Sequence, residues 1–174
     1  MQLFYYNTNL QMKRILLLSI LSISLLINAQ ELPTIPSNGF AFPLGSKFTI
    51  KLSAVDSVNY DYSIIAFEPF DEIVDIMEND NLFESAGKDS TLTFYFCLGT
   101  FGEAEDEKED NLKVLLIMKN YSKLALKYTS EIQREEDGVF EVTSNVGTHP
   151  GAIGTEMWPY MIYMIGLAEF RNYD

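Results

Sequence analysis

The run Thr91–Phe101, TLTFYFCLGTF, constrains the fold more than any other stretch of the chain. Leu92, Phe94, Phe96 and Leu98 alternate with Thr93, Tyr95 and Cys97, which is the two-residue period of a β-strand, and bulk stands on both sides of it. At least one of its faces is therefore deeply buried, and the strand belongs at the centre of a sheet.

Around it lie six further strand candidates. Lys47–Val55 places Phe48, Ile50, Leu52 and Ala54 on one face and Lys47, Thr49, Lys51 and Ser53 on the other, the pattern of a half-solvated strand. Asp56–Asn59 is turn chemistry, because Asp, Ser and Asn side chains bond their own backbone, and Tyr60–Phe67 follows as a strand that Pro69 ends. Leu112–Met118 is a short apolar run fit for burial on both faces. Leu124–Thr129 alternates again after a turn at Asn120–Ser122, whose glycosylation sequon is read as turn chemistry. Arg134–Gly138 closes a hairpin into Val139–Thr143, and Tyr160–Phe170 is the last strand, with a bulge expected at Gly166. Phe70–Phe83 fits one short helix slightly better than a strand edge. Gly102–Asn111 carries six carboxylates, one lysine and no apolar stripe, so a solvated loop is expected there.

Compartment is read from residues 1–29. Lys13 and Arg14 precede the apolar run Ile15–Ile27, and Ala29 supplies a small residue for cleavage. The run is too short for a membrane span, which takes about 20 apolar residues. An export signal is expected, with its true start at Met12 and no cysteine behind it to carry a lipid anchor. Without residues 1–29 the 174-residue chain leaves 145, carrying 10 basic against 25 acidic side chains, a net charge of −15. Such a surface repels nucleic acid and anionic headgroups. The single cysteine, Cys97, excludes an internal disulfide, so stability must come from packing.

Short strands at fairly regular spacing with polar turns imply an all-β fold: an antiparallel β-sandwich of about seven strands with at most one short helix. Residues 30–46, with three prolines and two glycines, read as an extended lead-in, and residues 47–174 as one domain. The strand and turn pattern over Lys47–Phe170 resembles immunoglobulin-like and fibronectin-like sandwiches in general architecture. The paired cysteines with a tryptophan between them, which mark immunoglobulin domains proper, are absent. Phe48, Ile50, Leu52, Phe94, Phe96, Leu115, Ile117, Leu126 and Ile165 are expected in or near one core.

Chemistry-bearing residues concentrate in Ser144–Tyr160, SNVGTHPGAIGTEMWPY, which holds the only histidine, His149, the only tryptophan, Trp158, and also Glu156 and Tyr160. Read as a glycine-rich loop, it offers flat apolar contact and a polar handle for a partner. The competing structural reading makes Trp158 a plug for one end of the sheet. No G-x-S-x-G elbow, phosphate loop or metal-ligand spacing is present, and the contiguous carboxylates of 103–110 lack the alternation of a calcium loop. The sequence therefore points to an exported, periplasmic or extracellular, non-catalytic module without cofactor or metal. Its expected partner is a protein, peptide or glycan of the cell envelope, bound by His149, Glu156, Trp158 and Tyr160. The alternative is a small hydrolase that uses His149 and Glu156 to move a proton.

Overall fold

The computed structural model describes residues 32–77, 79, 81–102 and 105–173. The expected export signal at residues 1–29 lies outside them.

Among the described residues ten strands form one sheet, in which every neighbouring pair but one is antiparallel: β1 (Gly39–Pro43), β2 (Ser46–Ala54), β3 (Asn59–Pro69), β4 (Val74–Asp75), β5 (Thr91–Thr100), β6 (Lys113–Asn120), β7 (Leu126–Gln133), β8 (Phe140–Thr143), β9 (Ile153–Trp158) and β10 (Met164–Asn172). Eight of them follow the order β8-β7-β10-β3-β2-β5-β6-β9 and curl into a half-barrel. β1 joins β10 off this path, and the two-residue β4 runs parallel to β5. The all-β antiparallel expectation holds, and the strands number ten where about seven were expected.

Local chemistry builds these elements as the sequence implies. Asp56 Oδ1 accepts from the backbone N–H groups of Val58 and Asn59 at 2.7 and 2.8 Å, which closes the β2–β3 hairpin. Asn120 is buried, its Nδ2 donates to Leu124 O at 2.9 Å, and its Oδ1 accepts from Ser122, so the sequon serves as a turn. The Arg134–Gly138 segment joins β7 to β8 as a hairpin.

The inner face of the curl holds the main core, with Phe42, Phe48, Phe94, Phe96, Tyr62 and Phe170 among its largest side chains. Phe42 and Phe48 stack at 3.6 Å between centroids, and Phe48 continues onto Phe94 at 5.0 Å. Tyr62 solves a topological problem. β1 takes one side of β10 at Met164–Ala168, and β3 takes the same side at Phe170–Arg171. At this exchange the Tyr62 hydroxyl donates to Leu167 O at 2.6 Å and accepts from Phe40 N at 2.8 Å. β1 lies inside residues 30–46, so that segment is sheet as well as lead-in.

A second, smaller cluster covers the outer face of β5 and β6: Tyr95, Cys97, Leu115 and Ile117 under Val74, with Phe70, Ile76, Leu82 and Phe83 packed on it. This explains the bulk on both sides of β5. It also corrects two expectations. Leu115 and Ile117 belong to this cluster, apart from the main core. The covering segment is no helix: β4 pairs with β5, a turn follows, and Ile73 and Met77 are exposed. A strand edge on β5 satisfies backbone groups that a short acidic helix would have left to solvent.

Three further differences concern boundaries. The acidic segment forms a short helix, α1 (Glu105–Asp110), where a loop was expected. Its anchors are tertiary: Lys108 pairs with Asp75 at 3.0 Å, and the Thr100 hydroxyl donates to Lys108 O. The last strand begins at Met164, and its irregularity falls between Ala168 and Arg171, with Glu169 at φ 56°, while Gly166 pairs in register with Glu131 and Ala41. Ser144–Tyr160, finally, is only partly loop, because Ile153–Trp158 is β9, paired with β6.

Candidate functional site

β8 and β9 are the two ends of the eight-strand path, yet they are consecutive in the chain. The chain therefore passes from one free edge to the other and leaves a seam between them. At one end the seam is shut. Thr148 exchanges two backbone hydrogen bonds with Leu126 of β7, both 2.8 Å, and a turn at His149–Ala152 then delivers the chain to Asn120 at the end of β6. Gly147 makes that crossing possible, since its φ is 69° and a Cβ there would lie 2.4 Å from Leu126 O.

Toward the other end the edges part around an opening of about 440 Å3, lined by Thr143, Asn145, Val146, Glu156, Trp158 and Tyr160 among others. Alternation along β9 sends Glu156 and Trp158 to the inner face while Thr155 and Met157 point outward. Across the seam the Tyr128 hydroxyl donates to Glu156 Oε1 at 2.7 Å and lies 3.3 Å from Met118 Sδ. The Trp158 indole N–H reaches Thr143 Oγ1 at 3.5 Å, and Asn145 Nδ2 caps the Tyr128 carbonyl at 2.8 Å. The Tyr128–Glu156 and Trp158–Thr143 contacts tie β9 to β7 and β8 through side chains.

Glu156 is the unusual group. Burial raises its carboxyl to about 7, against a smaller opposing pull from the Tyr128 hydroxyl. Tyr128 is itself raised well above the ordinary phenol range, first by burial and then by the charge of Glu156. The second oxygen of Glu156, Oε2, is buried without a hydrogen-bond partner among the described residues. Protonation does not resolve this. An O–H on Oε2 would need an acceptor, and a proton on Oε1 shared with Tyr128 would leave Oε2 an unpaired carbonyl.

The four residues singled out in the sequence part company here. Glu156 and Trp158 share β9 and the opening, and Tyr160 stands at its rim with the Arg134 guanidinium 4.2 Å over its ring. Trp158 is only 6% exposed and belongs to the main core. His149 lies at the shut end, exposed, its ring 5.4 Å from that of Tyr173. Among the described residues no hydrogen bond or ion pair joins it to Glu156. Tyr128, Thr143 and Asn145 were not legible as site residues. Tyr128 reads as one more inward position of an alternating strand, and nothing in the sequence brings that strand opposite β9.

Elsewhere the chemistry is quiet. Cys97 is fully buried, and burial pushes its thiol to about 12, which keeps it protonated. Among the described residues no three His, Cys, Asp or Glu side chains gather as metal ligands, and no helix is long and apolar enough to cross a membrane. Set against known proteins, the chain matches no family model, no curated protein and no solved structure.

Proposed function

We propose that this chain is an exported, non-catalytic binding module of the cell envelope, and that it meets its partner along the seam between β8 and β9. The observation that carries the reading is the state of that seam. Two free strand edges face an opening, and the side chains beside them are apolar and solvated: Val142 and Val146 are 72% and 78% exposed, with Phe140, Met157 and Tyr160 also exposed. Unprotected edges of this kind invite pairing with another chain, and exposed apolar groups gathered at one place mark contact surfaces. The immunoglobulin-like sandwich belongs to the same proposal, and what supports it is that inward residues of β7 and β10 share one core with those of β5, β6 and β9.

The contact differs from the one expected from sequence, since Trp158 supports the seam from below and the exposed rim makes the contact. Capture from envelope extract tests this. The wild type should retain a partner that a Val142→Asp, Met157→Asp double variant loses, with both proteins equally folded by circular dichroism, and His149→Ala should behave as wild type. A partner indifferent to the rim substitutions would remove the seam as the contact surface. Export is checked by mass spectrometry of the recovered protein, which should begin at Gln30.

A further inference from the structure

The free edges, their charge and the unpartnered oxygen of Glu156 together select one kind of occupant. β9 bonds β6 on one side from Ile153 to Trp158, and β8 bonds β7 on one side from Phe140 to Thr143, so each presents a row of unsatisfied backbone groups toward the seam. Every step along the eight-strand path is antiparallel, which leaves β8 and β9 antiparallel to each other. A single strand entering between them can thus pair antiparallel with only one. β9 is the longer, six residues against four, and it carries Glu156.

Charge narrows the occupant further. The β7–β8 hairpin and β8 carry Glu135, Glu136, Asp137 and Glu141, all exposed, against Arg134, which is seated on Tyr160, and Lys127 and Arg171, which stand beside Val142 and Val146. Inside, Glu156 Oε2 is buried and has no hydrogen-bond partner among the described residues. An inserted strand has side chains alternately facing inward and outward, so a cationic residue can reach Glu156 while its neighbours cover Met157 and Val142. We propose that the seam receives an extended peptide in which lysine alternates with apolar residues, pairing antiparallel with the edge of β9 and donating a lysine ammonium to Glu156 Oε2. This rests on the reading of the seam as the contact surface. It adds the partner's chemistry: a basic β-strand, and neither an acidic peptide nor a glycan.

The chain's only tryptophan, Trp158, lines the opening and reports on occupancy. A synthetic peptide alternating lysine and valine is titrated into the mature protein at physiological salt, followed by Trp158 emission and by calorimetry. Saturable binding is expected, because a charge-assisted hydrogen bond and a strand ladder both form. Glu156→Gln, which keeps the side-chain shape, should weaken it roughly tenfold or more. The same peptide with alternate backbone nitrogens methylated, and a glutamate–valine peptide, should not bind. Absent binding, or binding that survives either Glu156→Gln or backbone methylation, overturns the proposal; the former result assigns any attraction to net charge alone. If capture of an envelope partner still depends on Val142 and Met157 while these peptides fail, only the basic-strand inference falls. If the rim substitutions are also without effect, the seam reading falls with it.

Discussion

At Glu156 burial holds the proton that an unfolded chain would release. Its carboxyl titrates near 7 in the folded protein against an ordinary value of 4.5, so between those pH values the folded state binds the extra proton. Stability from this group therefore falls as pH rises through the window and is lowest above pH 7, a loss of about 3 kcal/mol if the whole displacement is realised. Glu156→Gln cannot ionise. Its stability relative to wild type should thus climb from pH 4.5 to pH 8 in urea titrations, and a constant difference would show that Glu156 titrates as a solvated carboxyl. Phe96 illustrates the opposite kind of residue, one without charge and without exposure, between its cross-strand partners Ser46 and Leu116 in the inner core. Replacing it by Ala should cost roughly 3–5 kcal/mol, measured as a shift in the denaturation midpoint at unchanged slope.

Elements in this protein take their form from what they touch. α1 has six residues, too few to be stable alone, and carboxylates dominate it. Its attachment through Lys108 to Asp75 and through the Thr100 hydroxyl is what orders it, and Asp75 is held below the ordinary carboxylate range first by the Met77 N–H and then by Lys108. Lys108→Ala should cost about 1 kcal/mol or less, since the pair is partly solvated. Deleting residues 105–109 should cost more, because it also strips the acceptor from the largely buried Thr100 hydroxyl, a loss worth about 1–3 kcal/mol. Equal melting temperatures for the deletion and the wild type would return this segment to a solvated connection. The segment 82–88 obeys the same logic on the outer face. Tyr95 OH donates to Leu82 O, Tyr121 OH and Lys119 Nζ both reach Glu84 O, and Gly87 lies flat on the Tyr121 ring, where a Cβ would come within 2.3 Å.

For the whole molecule the governing quantities are charge and closure. A net charge of −13 on 174 residues opposes compaction through self-repulsion, so raising salt from about 10 mM to about 500 mM should raise the melting temperature as the Debye length contracts; a fall would mean that ion pairs such as Lys47–Glu68 outweigh the repulsion. Much of this molecule was legible in its residues. The alternation of Lys47–Val55 and Thr91–Phe101, the Asp56 and Asn120 turns and the Arg134–Gly138 hairpin all follow from local periodicity and side-chain chemistry, and the structure repeats them. The strand Ile153–Trp158 did not stand out, because glycines and prolines flank it and its inward positions are Gly154, Glu156 and Trp158, a poor apolar face. The helix at 105–110 escaped, and the sheet edge at 74–75 stood second to a short helix, for a different reason: both are set by partners in β4, β5 and each other, remote from any local period. The sequence by itself determined which segments extend, where they turn and how acidic their surface is, since each depends on near neighbours and composition. The tertiary structure alone decided that the sheet curls into a half-barrel with its two end strands set across a seam, which places Tyr128 against Glu156 and leaves Oε2 buried without a partner among the described residues, because that depends on strand order and curvature summed over the whole sheet.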